Sequence, residues 1–271
     1  MGLRINTNVP ALNAGRILSR STQALNQSLE RLSSGLRINR AADDAAGLAI
    51  AEGFRSVVRG TQVAQRNSQD GVSLVQTAEG ALSETTNILQ RIRELAVQAA
   101  NGTQSTNNRL SIDGEVQQLL QQIDTIATDT EFNGIRVLSA AQTVTLQSGA
   151  MTSQTLVITL SGAKTTELGV NTVRVSTAAA AVSAISTIDT ALKSVTTLRS
   201  TLGAYQNRLE FTINTLAIQE ENSASAESAI RDANIATETI EFTRNQILVS
   251  AGTSVLAQAN LVPQTALTLL G

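Results

Sequence analysis

The sequence predicts a mainly α protein: an elongated rod of long, coiled-coil-like helices from both chain ends, with a small β-hairpin insertion between them. Three observations carry that prediction. The two prolines are Pro10 and Pro263, so nothing between residues 11 and 262 removes a backbone donor and breaks a helix. Apolar residues recur at alternating three-four spacing over many turns on both sides of the chain's middle, the period of a packed helical seam. Between about Ile135 and Ser176 that period gives way to short β-branched runs bounded by glycine.

The elements follow in order. A first arm, residues 1–40, carries the ladder Leu18, Thr22, Leu25, Leu29, Leu32 and Leu36, with Gly35 as its expected stop. Residues 41–134 hold two further helices. The longer runs from about Asp44 to Ala100, closes on Leu74, Ala78, Ala81, Thr85, Ile88, Ile92, Leu95 and Ala99, and stops at Asn101-Gly102. The next carries Ile112, Val116, Leu119, Ile123 and Ile126 and yields to a turn near Asn133-Gly134. In residues 135–177 the runs 143–146, 156–160 and 173–175 are expected as strands, separated by Gly149, Gly162 and Gly169. Helical period returns over residues 178–227 with Ile188, Leu192, Val195, Leu198, Leu202, Tyr205, Leu209 and Leu216. A last arm, residues 228–271, is Ala-rich, and from Ser250 onward it holds no charge.

Length argues for a rod. A helix from Asp44 to Ala100 would span roughly 85 Å, whereas a compact globule of this chain length is about 48 Å across. Only 2% of the 271 residues are aromatic against 42% hydrophobic, so the apolar complement is almost wholly Ala, Leu, Ile and Val, side chains suited to close helix packing. Long helices of this kind must find partners along their length.

Residue inventory removes most chemistry. With neither Cys nor His there is no thiol, imidazole or zinc chemistry and no disulfide. The Ser and Thr hydroxyls have no His to activate them, and neither Lys164 nor Lys193 accompanies a phosphate-cradling loop. Asp43-Asp44 and Glu220-Glu221 are adjacent in sequence, and consecutive helical residues point about 100° apart, so neither pair can serve one substrate. Asp43 and Asp44 are better read as capping a helix start. The chain reads as no enzyme, with no cofactor and no metal. The net charge of -2 gives nucleic acid no footprint, and no apolar run is long enough for a membrane span. A basic N-terminal arm (Arg4, Arg16, Arg20, Arg31, Arg37, Arg40 against Glu30) has a transit-peptide flavour, but its apolar period continues past Gly35 and no signal-peptide pattern precedes it. Met1-Gly2 is no myristoylation signal, since Asn6 replaces the required hydroxyl. Asn26-Gln27-Ser28 and Asn101-Gly102-Thr103 fit the glycosylation pattern by chance, and no role is assigned to them.

Three classes remain: a self-assembling structural subunit, a cytoplasmic coiled-coil rod, and an enzyme, the last disfavoured by inventory. The chain ends separate the first two. An apolar, uncharged terminus left in water aggregates or disorders, so it is best explained as a segment buried on assembly.

At this point the residues themselves carry a resemblance. The run Ile5-Asn6-Thr7-Asn8-Val9-Pro10-Ala11-Leu12 and the stretch SLERLSSGLRINRAADDAAGLAIAE (28–52) resemble the N-terminal region of bacterial flagellins. So do QRIRELAVQAANGT (90–103) and EFNGIRVL (131–138), while SAIRDANIATE (228–238) and QILVSAGTSVLAQAN (246–260) resemble the flagellin C-terminal region. The resemblance implies a subunit that polymerises into the flagellar filament for motility. The arms 1–40 and 228–271 would pair in the filament core, disordered in the monomer and folded on assembly, and the inner helices would form the rod around it. It also implies type III export without a cleaved signal, and secretion into the filament. The implied partners are further copies of the chain, an export chaperone holding the C-terminal region, the filament cap, hook-junction proteins and a host innate immune receptor. A hook-filament junction protein is the runner-up within the same machinery. Segment 135–177 leaves room for a hairpin and for no extra outer domain, so a thin, smooth filament is expected. The receptor surface of the family maps by position onto Gln90, Arg91, Leu95 and Glu115, a face that also meets a neighbouring subunit. Gly114 beside Glu115 costs the helix ~1 kcal/mol relative to Ala.

Overall fold

A computed structural model describes the backbone of residues 7–268 and the side chains through Leu261. Arg4 of the basic arm, Met1-Gly2 and the first residues of the resembling run lie outside that range. The described elements are α1 (Val9–Ser34), α2 (Ala45–Ala100), α3 (Thr106–Asp129), β1 (Glu131–Phe132), β2 (Ile135–Arg136), β3 (Gln142–Gln147), β4 (Thr155–Leu160), α4 (Ala178–Arg231) and α5 (Ile235–Thr268). The mainly α class with a small β insertion is therefore the observed one. Contacts divide the chain into two compact units, 1–56 with 222–271 and 57–221, and the division falls inside α2 and α4.

In the unit built from the chain ends, α1 packs along α5. Helix α1 starts at Asn8, whose side chain accepts from the Ala11 N–H at 3.1 Å, with Pro10 in the first turn where its missing N–H costs nothing. It stops at Gly35, which adopts φ 72° and returns its N–H to the Arg31 carbonyl. The buried seam differs from the expected one. Leu18, Leu25 and Leu32 are partly covered as predicted, but between them the chain buries Ser21 and Ser28 and leaves Thr22 and Leu29 exposed. Two three-four ladders share those three leucines, and the tertiary contact selects the one with serines because small side chains let two helix backbones approach. Gly252 of α5 belongs to the same contact: a Cβ there would stand 3.2 Å from Leu18 Cδ1.

The connection from α1 to α2 is tied to the end of α4. Leu36 bridges Asp232, the Ala233 N–H donates to the Gly35 carbonyl at 2.9 Å, and the Arg37 N–H donates to the Arg231 carbonyl at 2.6 Å. Asp44 caps α2 by accepting from the Gly47 N–H at 2.9 Å. Asp43 instead holds the turn before it, accepting from the N–H groups of Arg40 at 3.0 Å and Asn39 at 3.2 Å. Those donors, Arg40 first and then Asn39, hold the Asp43 carboxyl below its ordinary value of 3.8. A depressed folded value means that its support of the turn is full above the ordinary value and is lost as pH falls through the folded one. Amide-exchange protection at Asn39 and Arg40 is accordingly expected to fall over the interval below the ordinary value of 3.8 in the wild type. The same protection in Asp43→Asn should hardly change with pH, and a wild-type profile flat over that interval would refute the assignment.

In the unit 57–221, α2, α3 and α4 close on one apolar core to which the two hairpins and the irregular segment 161–177 add side chains. On α2 the expected Leu74, Ala78, Thr85, Ile92, Leu95 and Ala99 are buried, but Ala81 and Ile88 are only partly covered and Val75, Leu82, Leu89 and Ala96 are buried beside them; on α4 Ile188, Val195, Leu202, Leu209 and Leu216 are buried, with Leu192, Leu198 and Tyr205 partly covered. On α3 the deepest positions are Ile112, Val116, Leu120, Ile123 and Ala127, with the predicted Leu119 and Ile126 only partly covered. Asn133-Gly134 is more than a turn. Asn133 (φ 50°) and Gly134 (φ 78°) are both left-handed and join β1 to β2 in a two-residue hairpin.

Strands β3 and β4 pair antiparallel, Gln142 opposite Leu160 and Gln147 opposite Thr155, in place of the expected 143–146 and 156–160. They lie against small residues of α2. The loop residue Ala150 meets Gly60, Leu146 meets Gly71, and the Asn67 carboxamide donates to the Gln147 carbonyl at 3.1 Å. The third expected strand, 173–175, is not one. Its backbone is spent on α3: the Val175 N–H donates to Asp113 at 2.7 Å and the Val173 carbonyl accepts from Gln117 at 3.0 Å. Asp124, further along the same helix, accepts from both the N–H and the hydroxyl of buried Thr165. A segment whose polar groups are satisfied by helix side chains has no need of a ladder partner.

Candidate partner-binding surfaces

Two surfaces stand out, one in each unit. The first is what α1 and α5 leave uncovered. From Ile247 to Ala257 helix α5 carries apolar or small residues on every side, the pattern of a helix covered all round, whereas its first turns carry Glu238, Glu241 and Arg244. Yet α1 covers one side only. Ile240 and Ile247 (63% exposed), Leu248 and Val255 stay open on α5, and Leu12 (68%), Ile17 and Leu29 stay open on α1. Ala236, Ile240, Thr243, Arg244 and Ile247 line an open groove along α5. So much exposed aliphatic surface, continuing along two paired helices, marks an interaction face.

The second is the face of α2 and α3 to which the sequence assigned a partner. Arg91 donates to the Glu115 carboxylate from Nη2 at 2.9 Å and from Nε at 3.3 Å, and to Glu94 from Nη1 at 3.3 Å. Glu115 first and Glu94 second raise the guanidinium's pKa above its ordinary value, so it is a cation at every accessible pH. Gln90 lies exposed beside it. Gly114 remains helical, and Glu115 keeps its place on the face. Leu95 does not join the other three. It is 2% exposed and belongs to the core beneath the face, as its own seam position requires, so it can support that face only through packing. A second α2 arginine, Arg93, instead ties α2 to α4 through Asp189 at 2.7 Å.

The family resemblance named Gln90, Arg91 and Glu115 together, and sequence reasoning missed the details of the terminal pair: the buried Ser21 and Ser28, and the bond from the Asn8 side chain to the Ala259 carbonyl. A sequence signal for the latter exists, since Pro263 stands four residues after Ala259. Among the described residues no helix is long and apolar enough to cross a membrane.

A long-helix bundle with a small hairpin insertion, its two ends paired and only half covered, defines a structural helical subunit. Residues 5–143 match the family model of the bacterial flagellin N-terminal helical region, and residues 185–270 match that of the C-terminal helical region. The chain belongs to the bacterial flagellin family, a structural family. It is 47% identical over 274 residues to the flagellin of Halalkalibacterium halodurans, with 98% of this chain and 99% of that one covered. It is 44% identical over 283 residues to the flagellar filament 31.3 kDa core protein of Treponema maltophilum, at the same coverage of each. The crystal structure of Bacillus cereus flagellin superposes with a TM-score of 0.50 at 35% identity, covering 60% of this chain and 94% of that one.

Proposed function

We propose that the chain is the structural subunit that polymerises with copies of itself into the bacterial flagellar filament, outside the cell, and that it has no catalytic role. The observation that carries this reading is the later half of α5, apolar or small on every side from Ile247 to Ala257 and covered by α1 on one. Burying the remaining aliphatic surface at about 25 cal/mol per Å² supplies the driving force for addition of each subunit, and copies of the same chain supply a complementary face. In the monomer the uncovered helices α1 and α5 are disordered and fold on addition, which lets a long chain pass an export channel before it acquires its shape. An export chaperone shielding the C-terminal arm, the filament cap and the hook-junction proteins complete the set of partners, each meeting the same apolar ends.

Purified monomer, seeded with short filament fragments, tests the reading. Long uniform filaments should form, and protease-sensitive ends should become protected. Continued solubility with ends protected from the start would overturn it in favour of a junction protein or a cytoplasmic rod.

The Gln90, Arg91 and Glu115 face is proposed to bind the host innate immune receptor when the subunit is free, and a neighbouring subunit when it is assembled. Arg91→Ala is expected to reduce receptor signalling by purified monomer about tenfold, the order expected for a charged anchor at an interface. Its pairs with Glu94 and Glu115 are solvent-exposed, so the melting temperature should stay nearly unchanged. Undiminished signalling would remove the assignment.

A further inference from the structure

Helix α5 contains a proline, and the bond it deletes is restored from the other end of the chain. In an α-helix the Ala259 carbonyl accepts from the N–H of residue 263, and residue 263 is proline, which has none. The Asn8 side chain stands there instead, Nδ2 donating to the Ala259 oxygen at 2.8 Å. The other end of the same carboxamide is also in use, since Oδ1 accepts from the Ala11 N–H at 3.1 Å and caps α1. One donor and one acceptor are both required, which fixes the amide's orientation and makes Asn the one side chain of this length that satisfies both sites.

We propose that Asn8, Ala259 and Pro263 form a register latch that sets how α1 and α5 pair when the chain ends fold. The backbone bonds of 35–37 to 231–233 and the Arg31–Glu238 pair fix the alignment of α1 with α5 where the two helices begin to run together, and apolar packing alone continues it toward residue 9. A polar bond available in one alignment holds that far end too, as an Asn does in a coiled coil. Sliding α1 by a turn strands the Asn8 donor and leaves the Ala259 carbonyl with neither its helical donor nor its substitute. Pro263 thus creates the vacancy that makes the bond selective; with an N–H at 263, Asn8 would have nothing to replace. The latch closes only when residue 8 and the turn 259–263 are both folded, so it reports completion of the terminal pair.

The inference rests on the filament-subunit reading, and a double-mutant cycle tests it in seeded assembly, with the subunit left unpolymerised at equilibrium as the readout. Asn8→Asp keeps the cap acceptor and loses the donor. It is expected to raise residual monomer about tenfold, the effect of one part-buried carbonyl left unpaired. Pro263→Ala restores the helical donor, and in that background Asn8→Asp should change residual monomer about twofold or less. Asn8→Ser, neutral, able to cap and too short to reach Ala259, should show the same dependence on residue 263. Equal effects of the Asn8 variants with Pro263 and with Ala at that position, or no effect in either, would overturn the latch and leave Asn8 as a helix cap alone. A wild-type chain that fails to assemble would instead overturn the filament reading, and that control is read independently of the variants.

Discussion

Leu89→Ala is expected to destabilise the unit 57–221 by about 2–5 kcal/mol, the range for deleting a fully buried leucine whose surroundings relax only in part. Leu89 is 0% exposed on α2 within the shared core of α2, α3 and α4. A domain of this size is stable by roughly 5–15 kcal/mol, so one substitution removes a large share. The core is unusually dependent on aliphatic residues, because only Phe132 and Tyr205 bring aromatic rings to it, and both do so from its edge. Each leucine therefore fills space that no neighbouring ring can swing into. The expected fall in melting temperature is roughly 4–20 °C, at about 2–4 °C per kcal/mol. Thermal unfolding followed by circular dichroism measures it, and a shift under about 2 °C would show that the site collapses around the deletion.

Ser28→Leu is expected to weaken the pairing of α1 with α5 by about 1–3 kcal/mol, through overpacking at a buried small residue. Neighbouring Leu29→Ser should leave that pairing within about 0.5 kcal/mol, because Leu29 is 47% exposed and faces away from the contact. The pair of variants reverses what hydrophobicity alone suggests, since it adds a leucine in the damaging case and removes one in the tolerated case. Protease protection of residues 9–34 reads the pairing, and the concentration of unpolymerised subunit reads its consequence. If Leu29→Ser opens α1 to protease in the filaments that form while Ser28→Leu does not, the seam runs along Leu29. Leu29→Ser should still impair polymerisation, as part of the open aliphatic face that neighbouring copies cover.

Two kinds of information separate along this chain. Proline placement and apolar period determined the long helices, their stops at Gly35 and Ala100, and the main β3–β4 hairpin, because these depend on local geometry that each residue carries with it. Helical spacing already put Leu95 on the other side of α2 from Arg91, whereas the place of Glu115 beside Arg91 came from the family resemblance, since it lies on another helix. Family-resembling motifs at both ends pointed to a filament subunit before any contact was known. Tertiary structure alone decided which of two equally spaced α1 ladders is buried, because that choice depends on how closely α5 approaches. It alone turned residues 173–175 from a strand into a segment held by Asp113 and Gln117, since those hydrogen bonds join residues about 60 apart in the chain. It also joined Asn8 to Ala259 across 251 residues, where a missing N–H at one end of the chain is made good by a side chain at the other.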